Sequence, residues 1–158
     1  MAVKVFVGVS RNLSLQNNKP GDKGYWCVFK STQRAEPGDF LLLYFPVGVS
    51  ATRSGINQIY RITSNPQNGV NFDCDGRGMA HVSTELIVNL KNRITMKDLK
   101  GNSVIRNWGA IGRNMQSATF NVPEGIWIAL KDLIISKNPE IQFALELAAN
   151  KVEERHHE

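Results

Sequence analysis

The chain is poor in the residues from which catalytic and metal centres are built. Among 158 residues there are three histidines and two cysteines. Cys27 and Cys74 have neither C-x-x-C spacing nor a neighbouring histidine, so they do not read as zinc ligands. They read instead as reduced, structural thiols of a cytoplasmic protein. His156 and His157 stand at the end of the chain with no second ligand cluster, and His81 falls in a strand-like stretch where a core or edge residue is expected. Motifs of the G-x-S-x-G, Walker and G-x-G-x-x-G types are missing. Asp73 and Asp75 of "FDCDG" lack the remaining ligands of a calcium loop. No group of acids with a lysine suggests a nuclease centre. These absences favour a binding module over an enzyme, with no metal and no cofactor.

Long apolar runs are also missing. The longest, "FLLLYFPV", is far too short to span a bilayer, so no membrane partner is expected. The start, "MAVKVFVGVS", carries a single lysine and no small-residue cleavage site, and reads as a first strand rather than a leader. Acidic residues are the scarcer charge, 14 against 19 basic, for a net charge of +5. That excess leans toward polyanionic partners, because lysine and arginine release counterions when they meet phosphates. Charge alone fits a soluble basic protein with dispersed charge equally well. The basic residues form no run; they punctuate loops and strand ends.

What is present is ordinary globular material, 42% hydrophobic and 21% charged, of a length that suits one domain over residues 1–158. "VKVFVGV" alternates as a strand, with Phe6 on the face opposite the valines. The run of Asn, Gln, Pro, Gly and Asp from Ser10 to Gly24 reads as a polar loop. "YWCVFKSTQRA" reads as a short helix or turn. "EPGD" is a turn leading into Phe40–Phe45, a strand buried on both faces. "GINQIYRITSNP" and "MAHVSTELIVNL" are further strands, separated by the polar excursion "NGVNFDCDGRG". In "ITMKDLKGN", Thr95 and Asp98 have capping-box spacing, with Gly101 where a helix stops. "QSATFNVP" is a last strand with Ala118, Phe120 and Val122 alternating. Helical spacing then runs from Pro123 to Ser136. It resumes over 137–158, with Asn138 as cap and Pro139 at the first position. This last helix can lead into an effector domain or simply end the chain. The pattern is α+β: about six strands in a small curved barrel, with short inserted helices and a helical C-terminus.

Five segments in this order, "GYWCVFKS", "AEPGDFLLLYFP", "GINQIYRITSNP", "VSTELIVNLKNRITMKDLK" and "SATFNVPEGIWIALKDLI", resemble the EVE domain. That domain belongs to the PUA-like superfamily and is related to YTH and ASCH domains. The resemblance runs from about Val3 to Ser136 and implies a small barrel wrapped by helices. It further implies a pocket that takes one flipped-out base and recognises its modification with an aromatic cage. EVE-like domains serve modification-dependent restriction systems, beside a nuclease on a separate domain or chain, and others are stand-alone.

The resemblance places Trp26 as one cage wall and the Cys27 backbone at the base edge, with Asn12 and Gln16 as amides that read that edge. In YTH relatives the second wall is a tryptophan on the strand matching "TELIVNL", where this chain has only aliphatic residues. Trp108, among Arg106, Asn107, Arg113 and Asn114, is the expected substitute, with Asn107 beside it at the base. Packing in the core is the competing role for both tryptophans. Phe29 divides evenly between core and pocket support, whereas Trp127 and Tyr44 read as core. Arg11, Lys30, Arg34, Arg53 and Arg113 are the expected phosphate ligands.

The function implied is a non-catalytic, monomeric reader of a modified base, a modified cytosine such as 5-methylcytosine in DNA before RNA. The alternatives are a stand-alone binder of modified or structured RNA, or an ASCH-like hydrolase of nucleosides or amides.

Overall fold

The computed structural model of the chain describes residues 3–68, 78–113, 115 and 119–146. Six strands, β1 (Val5–Val9), β2 (Lys23–Phe29), β3 (Phe40–Phe45), β4 (Gly55–Ile62), β5 (Met79–Ile94) and β6 (Thr119–Val122), share one sheet. Its order is β2-β5-β4-β3-β1-β6. Neighbours run antiparallel except β1 and β3, which are parallel. Helices follow β5 in sequence, among them α1 (Met96–Gly101), the single turn α2 (Gly109–Gly112) and α3 (Glu124–Lys137). The arrangement is the expected α+β fold of a small curved sheet with short helices.

The alternation of side chains along the strands splits the core into two layers. On one face Phe6, Leu41, Leu43, Phe45, Tyr60, Val82 and Leu86 pack together. On the other, Val5, Val7, Phe40, Leu42, Tyr44 and Ile59 meet residues of the helical segments, including Leu99, Ile111, Leu130 and Ile134. All six residues of β3 are buried, because this central strand is covered on both faces. The Thr95–Asp98 capping box forms as its spacing predicts, with each side chain bonding the other's backbone N–H. Burial works to raise the pKa of the Asp98 carboxyl. The Lys137 ammonium and the bonds from Thr95 outweigh it and hold the group below its ordinary value.

Three expectations are corrected. "YWCVF" belongs to strand β2 rather than a helix, because its backbone pairs with Met79–Glu85 of β5. Asn138 has the position of a cap for the turn that follows, but its side chain makes no capping bond there and its Nδ2 donates back to the Ile134 carbonyl of α3 at 3.1 Å. It is fully buried and acts as a surrogate peptide: its Oδ1 accepts from Asn92 N–H at 2.8 Å and its Nδ2 donates to the Asn92 carbonyl at 2.9 Å. A 3-10 turn over Pro139–Ile141 follows, and helix continues to residue 146. Cys27 is disulfide-bonded, so it is not the reduced thiol expected from composition. The "NGVNFDCDGRG" excursion apart from its ends, Asn114, Ala118 and the terminal histidines lie outside the described residues.

Replacing Asn138 with alanine strands the Asn92 backbone groups and should cost about 1–3 kcal/mol. Chemical denaturation measures the loss, which aspartate should not restore, because its carboxylate would be buried there without the donating nitrogen.

Candidate functional site

The two outermost strands of the sheet, β2 and β6, come together through one hydroxyl. Thr119 Oγ1 accepts from the Trp26 indole N–H at 2.9 Å and donates to the Cys27 carbonyl at 3.2 Å. The Trp26 ring lies against Gly8 so closely that a Cβ there would stand 2.5 Å from its Cζ2. Glycine at this point of β1 is therefore the seat of the ring. Trp26 is half-buried and packs against the inner layer of the sheet.

A cavity of about 390 Å³ opens at this junction, lined by Val9, Ser10, Asn12, Leu15, Tyr25, Trp26, Cys27 and Thr119. That is within the roughly 300–1,000 Å³ typical of small-molecule sites. In an antiparallel strand a residue's N–H and C=O point to the same side. Because the Cys27 carbonyl meets Thr119, the Cys27 peptide edge faces β6 and the cavity, away from β5. The described lining contains no carboxylate, lysine or histidine, so its polar groups are hydroxyls, an amide and backbone.

The loop expected to be irregular contains a 3-10 turn, Leu13–Asn17, which brings Asn12 and Leu15 to the cavity. Asn12 Oδ1 accepts from both the N–H and the hydroxyl of Ser14, which leaves the Nδ2 group to point its donors elsewhere. An amide chain running from the core to the surface holds the turn. Buried Gln58 donates through Nε2 to the Leu15 carbonyl and to Asn89 Oδ1, both at 2.8 Å. Asn89 in turn donates to the Asn18 carbonyl. Tyr60 donates its hydroxyl to Gln58 Oε1, and burial raises the phenol's pKa and keeps that proton in place.

Of the residues selected from sequence, Asn12, Trp26 and Cys27 line this cavity, and exposed Arg11 lies in the chain between two lining residues. Gln16 is exposed on the 3-10 turn, and Phe29 is 37% exposed at the far end of β2. Lys30 and Arg34 are exposed in the turn that follows, where Arg34 holds φ +48°. Trp108 does not face Trp26. It is 7% exposed in the opposite layer of the core, edge-on to Phe120 at 6.2 Å. Thr119 and Phe120 are adjacent on β6, and strand alternation sends them to opposite faces, which separates the two tryptophans. Asn107 is exposed beside Trp108 and donates to the Ser103 carbonyl. Arg113 stacks over Phe120 at 5.6 Å on that outer side. Arg53 lines a separate cleft.

Sequence reasoning missed Val9, Ser10, Leu15, Tyr25 and Thr119 as lining residues. Tyr25, nearly half exposed and edge-to-face with His81, is the second aromatic of the cavity. It stands beside Trp26 in "GYW", which was a usable signal; nothing in the sequence marked Thr119. Trp127 packs on Phe40 at 6.3 Å and Tyr44 is buried, both as expected. A second cavity of about 400 Å³ lies where α3 meets β1 and β6, and none of the selected residues lines it.

No protein-family model matches the chain, and no curated protein does. Solved structures do. A protein from Leishmania major aligns with TM-score 0.63 at 11% identity, over 85% of this chain and 96% of its own. A Pseudomonas putida protein aligns with TM-score 0.61 at 13% identity, over 82% and 99%. Human THYN1, solved in complex with DNA containing 5-methylcytosine, aligns with TM-score 0.60 at 10% identity, over 83% and 97%. The DUF55 domain of human thymocyte nuclear protein 1 aligns with TM-score 0.59 at 11% identity, over 82% of this chain and 98% of its own, so the chain shares the fold of that domain. At such identities the likeness is one of fold.

Thr119→Val keeps the side-chain volume but removes both latch bonds. It should lower stability by about 1–3 kcal/mol and shift the Trp26 indole N–H resonance, with serine restoring both. Gln58→Leu should leave the barrel folded at a similar cost while raising amide exchange across Leu13–Asn18. Unchanged exchange there would show that the amide chain does not hold the turn.

Proposed function

We propose that this chain reads a single modified base, turned out of its strand into the cavity between β2 and β6. The observation that carries the reading is the fixed aromatic surface of Trp26, latched by Thr119 and seated on Gly8, beside an amide and a peptide edge. Unstacking a base costs on the order of a few kcal/mol, and stacking on an aromatic returns roughly 1–3 kcal/mol per base. A ring already held in place loses little further freedom on binding, so more of that return is kept. Tyr25 and Leu15 supply the remaining apolar surface. Asn12 Nδ2 donates to an acceptor on the base edge, and the Cys27 peptide edge supplies the opposite polarity.

Modified cytosine in DNA is the favoured ligand, because THYN1 shares the fold and was solved with 5-methylcytosine DNA. The neutral polar lining favours recognition over catalysis. A reader of this kind acts for an effector elsewhere, such as a nuclease of a modification-dependent restriction system on another domain or chain. Arg11, at the rim, meets a flanking phosphate.

Binding of matched oligonucleotides carrying cytosine or 5-methylcytosine, as DNA and as RNA, tests the reading. Burying one methyl group is worth about 0.8 kcal/mol, or about a fourfold preference. Trp26→Ala should weaken binding by about 5- to 150-fold, the equivalent of about 1–3 kcal/mol of stacking, and abolish the preference. Asn12→Ala should weaken it less. Stronger binding to the RNA series would assign the chain to RNA, and equal affinity for every base, unaffected at Trp26, would remove the reading.

A further inference from the structure

Toward the far end of β5, between Asn89 and Ile94, the strand bulges out of its pairing with β4. β4 advances two residues from Ile56 to Gln58 while β5 covers five, from Ile94 to Asn89, so three residues are looped out. Bulges re-aim side chains, and they recur beside functional sites. This one is built firmly. Fully buried Asn138 grips both backbone groups of Asn92, and Asn92 Nδ2 donates to the Lys137 carbonyl at 2.8 Å. On the other side Gly55, at φ +116°, lets β4 start so close to the Ile94 carbonyl that a Cβ would stand 2.3 Å from its oxygen. Buried Asn57 ties down the neighbouring turn through the Arg53 and Gly55 carbonyls.

The result is a cleft of about 340 Å³ walled by Arg53, Asn57, Lys91, Arg93, Thr95 and Lys137 among others. Lys137 is neutralised by Asp98 at 2.6 Å. Arg53, Lys91 and Arg93 have no ion-pair partner among the described residues. Arg93 is the least settled of them. Its Nη1 donates to the Thr52 carbonyl, while its Nε is buried with no hydrogen-bond partner. A partly buried guanidinium without a counterion or a full set of acceptors is costly, and a rigid fork of donors suits phosphate geometry.

We propose that this cleft is a phosphate-binding site, with Arg93 as its central ligand and Arg53 and Lys91 closing over the anion. Asn138 is a positioning residue that sets the bulge. The site is separate from the base cavity, and the proposal does not depend on base reading. The phosphate comes either from a nucleic-acid backbone or from a small free phosphate compound.

Titration of the intact chain with inorganic phosphate, against sodium chloride at matched ionic strength, tests this by NMR of arginine Nε–H and backbone amides. Saturable shifts are expected at Arg93 Nε–H and at the Asn92 and Arg93 amides, with exposed Arg106 as the control that stays still. Arg93→Gln should weaken the phosphate response at Asn92 at least tenfold. Shifts no larger than those in chloride, or equal shifts at Arg106, would overturn the site. Oligonucleotide binding across salt then separates the sources. A slope reduced by about one in Arg93→Gln marks a phosphodiester contact, and an unchanged slope in a variant that has lost the phosphate response of the native chain marks a free phosphate. The phosphate titration reads out even if no oligonucleotide binds, so failure of the base-reading proposal remains distinguishable.

Discussion

A sheet with two open edges must do something with the unpaired backbone groups it exposes. Here much of the answer rests on one hydroxyl. Thr119 bridges β6 to β2 by accepting from the Trp26 indole and donating to the Cys27 carbonyl. Few backbone pairs could form at this seam, because a side chain as large as indole occupies it. The ring fits since β1 carries Gly8 beneath it, where any Cβ would collide. Latch, ring and glycine are therefore one unit. Each is explicable only through the other two, and the cavity exists because the strands are joined by side chains at that point instead of zipping together.

The same curl divides the tryptophans. The inner layer is small, and its mouth is filled in part by Trp26; the outer layer is wide and takes α1, α2 and α3. Trp108 serves the outer layer, where Phe120 meets it edge-on and Arg113 covers Phe120 from outside. A tryptophan buried to that degree contributes mainly by packing. An aromatic cage of two tryptophans on opposite faces of one sheet is geometrically impossible, so Tyr25 and Leu15 must share the role with Trp26 on any reading of the cavity as a base site.

What could be read from the sequence followed local physics. Phe40–Phe45 announced a doubly buried strand because all six residues are apolar, and Thr95 with Asp98 announced a helix start because the capping box is local. β2 was misread because an edge strand at a barrel mouth has no clean alternation, and its pairing with β5 is decided some 55 residues away. Trp108 misled through its neighbours: Arg106, Asn107 and Arg113 are indeed exposed, but the short turns between them rotate Trp108 inward. Asn138 had every local mark of a cap. Asn92 is a better partner, and no signal local to either residue shows that they meet. Asn12, Trp26 and Cys27 converge because β1 and β2 lie at opposite positions in a curled sheet, whereas the other selected residues were grouped by type alone.

Uncharged amides do most of the positioning in this molecule. Gln58 and Asn89 hold the 3-10 turn, Asn57 holds the start of β4, and Asn138 holds the bulge of β5. Amides can satisfy donors and acceptors together without bringing a charge into the barrel, where desolvation would be costly. The positive charge is consequently displaced outward, to loops and to the cleft around Arg93, while the described lining of the β2–β6 cavity stays neutral. On the proposed reading this separation has a functional logic. Phosphate contacts position a strand without carrying information, and contacts to the base carry it. A neutral cavity gains nothing from the phosphate charge common to all sequences, so its selectivity depends on shape, stacking and edge chemistry, and affinity can be set independently elsewhere on the surface.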